Sequence, residues 1–387
     1  MTTRLRIAVV TPLFPISSEP YRGQPIYKTV LALTEMADVE TFYVSASYPP
    51  LLRPRSYQYK TADPGWQPEG VKTHYLRYPT VPVLGRRTNA AASARVLESP
   101  LRQFRPDVIL AYWIFPEGLG AVRVGQQLGV PVVVGSRGSD LLKIPDGVSA
   151  KGVREALAGA AATVVVSGEL HRRAIELGAP PSRVHTILNG CDRSIFSQQD
   201  TVAARRRLGF PEDAELVLFV GHLIRDKGIG DLIEAWERLS GKRRRLRLAF
   251  IGEGSMESSL RKLDQERVLL LGPKTAGEVA QWLAACNLLC LPSYSEGCPN
   301  VVLEALACGR PVVATTVGAI PDLLDDTCGI QVPPGNARAL KNALAEALES
   351  SWDSSLIARR HGRGWQDAAA ETLEVCRRAA RLSAPPG

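Results

Sequence analysis

Leu288-Leu289-Cys290-Leu291-Pro292-Ser293-Tyr294-Ser295-Glu296-Gly297-Cys298-Pro299-Asn300-Val301-Val302-Leu303-Glu304-Ala305-Leu306-Ala307-Cys308-Gly309-Arg310-Pro311-Val312-Val313-Ala314-Thr315 reads as a strand, a polar turn, a helix, a Gly-x-Pro break and a second strand. The two flanking apolar runs are short and carry no polar alternation, which marks strands buried on both faces. Residues 300–308 have helical spacing. Strands joined through a helix run parallel.

The same alternation extends in both directions. Upstream, 7–11, 39–45, 108–112, 130–136 and 163–167 read as strands, and 27–37, 118–128, 153–160 and 169–177 as helices. A second series follows residue 200. Its strands are expected at 216–221, 246–252, 268–272 and 329–332, its helices at 230–239, 256–264, 276–285 and 337–348. The fold class is therefore α/β, with two Rossmann-like doubly wound halves. A chain of 387 residues also exceeds what one compact core holds. The turn Asn189-Gly190-Cys191-Asp192 marks the change of half. The expected division is a first domain at 1–195, a second at 196–365 and a C-terminal segment at 366–387. Residues 46–105, rich in Pro, Arg and Tyr, read as an elaborated loop region, and the final residues as frayed. Ligands of open parallel sheets bind outside the carboxyl ends of the strands. Two such halves facing a cleft are expected to share one site, closing about the 189–192 turn.

Composition narrows the class. With 45% hydrophobic and 22% charged residues the chain is that of a soluble globular protein, and no apolar run approaches the roughly 18 residues of a membrane span. The chain starts directly into a strand without a secretion signal's apolar stretch, so a cytoplasmic location is expected. Seven cysteines without a Cys-x-x-Cys pair read as reduced thiols packed as small hydrophobes rather than metal ligands. The net charge of +8 favours anionic partners. Nucleic acid is the weakest of these: there is no helix-turn-helix, zinc-finger or RNA-binding signature, and the basic residues do not interleave with aromatics. The Lys242–Arg245 run reads as a solvated connector. Basic residues around 77–105 suit a peripheral contact with an anionic membrane face.

The candidate site grows out of the opening stretch. Glu296 lies in the turn and Glu304 about a turn inside the helix, with the helix N-terminus between them, where free N–H groups attract anions. A carboxylate on either side of an anion site suits a nucleotide-diphosphate sugar, which has ribose at one end, hexose at the other and two phosphates between. Glu304 is expected to accept from the ribose diol and Glu296 from hexose hydroxyls, with Gly297 and the N–H groups of Cys298 and Asn300 facing phosphate or sugar. Phe219-Val220-Gly221-His222-Leu223-Ile224-Arg225-Asp226-Lys227-Gly228 is a strand followed by a cationic loop. Cations there, Lys227 and Arg225 with His222 beside them, would neutralise a leaving diphosphate. Gly252 and Gly254, in a Gly-x-Gly turn after a strand, and Leu271 at the end of the next are expected near the nucleotide base. In the first half, Gly23 follows the first strand's loop and permits close approach. Arg137 and Asp140, in Arg137-Gly138-Ser139-Asp140, are candidates for sugar or acceptor contact. No two aspartates are separated by one residue, so no metal and no other cofactor is expected.

Together these residues resemble the family 4 retaining glycosyltransferases of the GT-B fold. The likeness covers nearly the whole chain. It is carried by Glu296-x7-Glu304 with Pro-Asn-Val-Val-Leu-Glu-Ala, the Val-Gly-His-Leu-x3-Lys-Gly loop, Asn189-Gly190-x-Asp192, Ile251-Gly252-x-Gly254 and Gly309-Arg310-Pro311-Val312-Val313-Ala314. Trp113-x2-Pro116-Glu117-Gly118 and Arg137-Gly138-Ser139-Asp140 resemble the branch that builds exopolysaccharide or teichuronic acid. The resemblance implies a nucleotide-sugar donor in the second domain, a glycan or lipid-linked acceptor in the first, and a last helix that crosses back onto the first domain. It implies anomeric retention through a same-face displacement without a protein nucleophile. Many members carry Arg where this chain has His222, so Arg225 substitutes or Lys227 holds the phosphate alone. Many carry His where Arg137 stands. Two alternatives stay open: a nucleotide-sugar epimerase or hydrolase on the same fold, for which the sequence offers no convincing acid–base pair, and a non-catalytic nucleotide-sugar-binding protein.

Overall fold

A computed structural model describes residues 4–49, 51, 62–82 and 84–383. The tail 384–387 and residues 50 and 52–61 of the Pro-, Arg- and Tyr-rich stretch lie outside the described residues. The chain forms two compact units, one of residues 1–188 with 365–387, the other of 189–364.

The first unit is built on a seven-stranded parallel sheet. Its elements are β1 (Arg6–Thr11), α1 (Gln24–Thr34), β2 (Asp38–Ser47), β3 (Thr73–Pro79), α2 (Asn89–Phe104), β4 (Val108–Tyr112), α3 (Leu119–Leu128), β5 (Val132–Ser136), α4 (Ser139–Leu142), α5 (Gly147–Gly159), β6 (Ala162–Val165), α6 (Gly168–Glu176) and β7 (Val184–Thr186). The order is β3-β2-β1-β4-β5-β6-β7, with Ile7 paired to Val39 on one side and Val108 on the other. Every residue of β4 and β5 is buried, because helices cover both faces.

The second unit has α7 (Thr201–Leu208), β8 (Glu215–Val220), α8 (Ile229–Ser240), β9 (Leu246–Ile251), α9 (Glu257–Leu260), β10 (Val268–Gly272), α10 (Ala276–Ala285), β11 (Leu288–Leu291), α11 (Asn300–Ala307), β12 (Val312–Thr315), α12 (Ile320–Leu323), β13 (Gly329–Val332), α13 (Ala337–Glu349) and α14 (Ser354–His361). Its sheet is parallel in the order β10-β9-β8-β11-β12-β13. In each sheet the connections turn one way from the first strand and the other way from its neighbour. The switch points therefore fall between β1 and β4 and between β8 and β11, where α/β sheets open a crevice beyond the strand ends.

The final helix, α15 (Trp365–Ser383), belongs to the first unit. Trp365, Ala368, Ala369, Leu373 and Cys376 join the core that holds Val30 and Leu33 of α1. The apolar pattern ended its series at 337–348; the last helix was implied by resemblance, and its packing on α1 bears that out.

Two sequence expectations are corrected. Residues 46–105 are not mainly loop, since they supply β3 and the 16-residue α2. β3 is an edge strand of mixed polarity. The buried face of α2 is largely small residues, Ala90, Ser93 and Ala94 ahead of Leu97, Leu101 and Phe104, so it lacks the bulky stripe that flags a helix. That smallness has a use: a Cβ on Gly120 of α3 would lie 2.8 Å from Ser93 Oγ, so the two helices pack closely. The helix expected at 256–264 is a single turn, α9.

Candidate functional site

The second unit's switch point joins two loops. The loop after β8 ends at Gly228, whose φ of +67° is left-handed and whose added Cβ would stand 1.9 Å from Pro292 O. Only glycine lets this loop lie against the one after β11. Tyr294 N donates to Asp226 O at 2.9 Å, fixing the contact. These two loops carry Lys227 and Glu296. Lys227 Nζ donates to Glu296 Oε1 at 2.6 Å, and Ser293 Oγ donates to the same oxygen at 2.7 Å. The pair is mostly shielded, with side-chain exposures of 23% and 10%. Thr315 Oγ1 in turn donates to Ser293 O, so β12 braces the turn. Ala319 N donates to Gly297 O at 2.8 Å.

Helix α11 follows directly. No side chain caps it, so its first N–H groups are left to solvent or a ligand. The turn before it is held by Asn189, whose Nδ2 donates to Cys298 O at 3.1 Å and Asn300 Oδ1 at 2.9 Å. Glu304 lies on the second turn of α11. Its carboxyl makes no hydrogen bond or ion pair among the described residues, and burial alone pushes it up to about 7. An ion pair satisfies Glu296, whereas Glu304 is an acceptor without a donor. Its side chain is half-buried, so water or a ligand can supply the hydrogen bonds that the protein does not.

The Gly-x-Gly turn has a backbone explanation. A Cβ on Gly252 (φ +134°) would come 2.0 Å from Gly221 O, and one on Gly254 2.4 Å from Leu223 O. The loops after β8 and β9 touch backbone to backbone, with Leu223 N donating to Glu253 O, and Gly252 N donates to Gly272 O at the end of β10. Leu271, half-buried, ends β10 in the same group of loops. His222 and Arg225 are exposed in the loop that carries Lys227. The structure thus gathers Lys227, Glu296, Gly297, Cys298, Asn300 and Glu304 on the β11–α11 segment and the loop beside it, with His222, Arg225, Gly252, Gly254 and Leu271 on adjoining loops.

Three candidates lie in the first unit. Gly23 (φ +62°) starts α1 with its Cα against Leu13 O. The Arg137 guanidinium lies 4.9 Å from the Tyr112 ring centre and donates to Thr29 Oγ1 at 3.0 Å, a position among β4, β5 and α1. Asp140 is buried, accepting from Ser136 Oγ at 2.6 Å and Ile114 N at 3.1 Å, and burial raises its carboxyl. Both its oxygens hold the loops after β4 and β5 in place.

The sequence reading gave no role to Ser293 or Glu117, and took Asn189 only as part of the expected hinge turn. Ser293 was legible only as a polar residue just past a buried strand. Asn189 stands in the quoted turn, and Glu117 in a motif cited for resemblance alone. Asp325, Cys328 and His361 bring ligand atoms within 4.8 Å of one another. Asp325 N and Thr327 N donate to Cys328 Sγ and Asp325 Oδ1 respectively, so two of the three shape a turn. Among the described residues, no helix is long and apolar enough to cross a membrane.

Two doubly wound units of this kind, with a cation–carboxylate pair at the switch point of the second, have the GT-B fold of glycosyltransferases. Solved structures agree: sucrose-phosphate synthase from Thermosynechococcus elongatus superposes with a TM-score of 0.68 at 20% identity, covering 98% of both chains. Anabaena HepE in complex with UDP gives 0.66 at 19%, covering 98% of this chain and 99% of that one. Residues 30–190 match the glycosyl transferase 4-like domain and 214–350 the group 1 glycosyl transferases. A protein of Bacillus subtilis (strain 168) assigned to teichuronic acid biosynthesis as the glycosyltransferase TuaC is 30% identical over 355 residues, 88% of each chain. The chain belongs to the family 4 glycosyltransferases.

Proposed function

We propose that the chain moves a hexose, with retention at the anomeric carbon, from a nucleotide-diphosphate sugar in the second unit to a glycan or lipid-linked acceptor in bacterial polysaccharide assembly. One observation carries this reading. A lysine–carboxylate pair and an unpartnered, half-buried carboxylate flank an uncapped helix N-terminus at a sheet's switch point.

Each part has a task in that chemistry. Glu304 accepts from the two ribose hydroxyls, which supply the donors its burial denies it. The first amides of α11 meet the diphosphate. Lys227 has three N–H donors, so it can keep Glu296 and still donate to a phosphate oxygen. As the glycosyl–phosphate bond breaks, negative charge grows on the diphosphate, and a pre-positioned ammonium lowers the barrier. Arg225 adds a second cation from the same loop, with His222 beside it. Glu296, held by Lys227 and Ser293, presents its remaining oxygen to hexose hydroxyls. No side chain here is assigned as nucleophile, consistent with same-face displacement.

The HepE complex holds UDP, which makes UDP-hexoses the first donors to test. The relative assigned to teichuronic acid biosynthesis favours a polysaccharide product. Exposed Arg87, Arg95 and Arg105 on and beside α2 favour contact with an anionic membrane face. A thermal-shift screen of UDP-, GDP- and ADP-sugars, followed by NMR of the product's anomeric configuration, tests the reading. A donor-dependent melting shift and a retained configuration are expected. Epimerised free donor at turnover rates, or inversion, would refute it.

A further inference from the structure

Asn189 is the first residue of the second unit and is 4% exposed. It meets the turn before α11 across 109 residues of chain. Its backbone N–H donates to Cys298 Sγ at 3.4 Å, and its Nδ2 donates to Cys298 O at 3.1 Å and to Asn300 Oδ1 at 2.9 Å. Chemistry forces the orientation of both amides. Cys298 O can only accept, so the nitrogen of Asn189 must face it, and the second hydrogen on that nitrogen then needs an oxygen from Asn300. Asn189 is itself held from behind. Arg363 Nε donates to Asn189 O at 3.1 Å, and Cys191 N donates to Arg363 O at 2.9 Å. The segment that enters the second unit and the segment that leaves it are therefore bonded together.

The N–H groups of Asn300 and Val301 have no hydrogen-bond partner among the described residues. A helix start commonly gives such groups to a capping side chain. Here the N-cap position is Pro299, which has no side-chain oxygen. Asn300 has one, and asparagine readily turns its oxygen onto neighbouring backbone N–H groups. Asn189 occupies that oxygen. A buried amide thus spends both its hydrogens on a turn whose helix stays uncapped.

We propose that Asn189 is a positioning residue for the donor's diphosphate: it fixes the Cys298–Pro299 turn and keeps Asn300 Oδ1 off α11, so that the helix's first amides stay open to phosphate. The inference rests on the reading of the second unit as the nucleotide-sugar site. It adds a residue that acts through the turn rather than on the substrate.

The test is ligand-observed NMR titration of the full chain with UDP and with uridine, which has no phosphate to meet the amides. If GDP or ADP raises the Tm more than UDP does, that nucleotide and its nucleoside take their place. Asn189→Ala is expected to weaken UDP binding by about tenfold or more, the scale of one hydrogen bond to a charged group, and to leave uridine within about threefold. Asn189→Leu fills the same space without a donor and serves in every comparison if the alanine variant does not fold. Adding Asn300→Ala, which has no oxygen to turn onto the helix, is expected to recover about threefold or more of the lost UDP affinity. An equal loss of UDP and uridine, or no recovery in the double variant, overturns the inference. A wild-type chain that binds none of the three nucleotides overturns the reading beneath it; UDP binding that the Asn189 variants leave intact overturns this inference alone.

Discussion

Replacing Glu304 by glutamine separates stability from donor recognition. Burial pushes the Glu304 carboxyl up to about 7, against an ordinary 4.5. The folded-state value is raised, so the folded protein keeps the proton more tightly than the unfolded chain. Stability is full below the unfolded value, falls as pH climbs from about 4.5, and reaches its lowest level above the folded value of about 7. Each unit of that window costs about 1.4 kcal/mol, so the ceiling at pH 8 is roughly 3 kcal/mol. Glutamine keeps the shape and carries no charge to desolvate. With an unfolding entropy of about 2.1 cal/mol/K per residue over residues 189–364, that ceiling is a rise of roughly 8 °C in Tm. The assay is calorimetry of both proteins at pH 5 and pH 8, with and without a UDP-hexose. At pH 5 the two should melt within about 2 °C of each other, on the same arithmetic. At pH 8 the variant should melt several degrees higher. The donor should raise the wild-type Tm and leave the variant's unmoved, because only a ligand that binds the folded form shifts it. Equal melting at both pH values would show that the carboxylate is already satisfied. A donor shift preserved in the variant would remove Glu304 from the ribose.

Other outcomes follow from the same geometry. Lys227→Ala should lower kcat by about 10²–10³, the scale of a lost charge-stabilising donor, with folding intact by circular dichroism; unchanged turnover would exclude the ammonium from the leaving group. Gly252→Ala sets a Cβ 2.0 Å from Gly221 O at φ +134°, and should cost at least about 2 kcal/mol in urea denaturation; a neutral result would mean that the loops separate freely. Transfer should persist in excess EDTA, since Lys227, Arg225 and the α11 amides supply the positive charge, and a strict requirement for added Mg²⁺ would contradict that. Sedimentation with anionic liposomes should carry the protein down in low salt and release it when Arg87, Arg95 and Arg105 are changed to Glu; no difference between the two proteins would make that surface inert.

The alternation of apolar runs and helical stretches was enough for all six strands of the second sheet and for five of the seven in the first, missing β3 and β7, because parallel strands buried on two faces leave short apolar blocks. It failed where burial did not require bulk. The face of α2 is small because α3 packs against it closely, and β3 is an edge strand with mixed polarity. The site was legible as a set of residues but not as a set of contacts. Lys227 and Glu296 are 69 residues apart, and only the crossover that places β8 beside β11 brings them within 2.6 Å. Nothing in the residue pattern marks them as paired with each other before any ligand arrives. It also offered Glu304 and Glu296 as equals, whereas one is neutralised and the other stands alone.

That inequality has a counterpart in the first unit. β4 lies beside β1 across one switch point as β11 lies beside β8 across the other. Glu117 follows β4 just before α3, and Glu304 follows β11 within α11. Glu117 is buried and Glu304 half-buried, burial raises both to about 7, and neither has a cation beside it. A stability-driven sequence would place an apolar residue or an amide at each position. Each unit instead carries one carboxyl group that burial pushes up to about 7, at a corresponding place in its topology. Since the two groups share no partners, their costs should add. The Glu117→Gln, Glu304→Gln double variant should then melt at pH 8 above either single variant while losing the donor-dependent melting shift. A double variant no more stable than the better single one would break the parallel, and would leave Glu117 as a residue of Tyr78's hydrogen-bond network and nothing more.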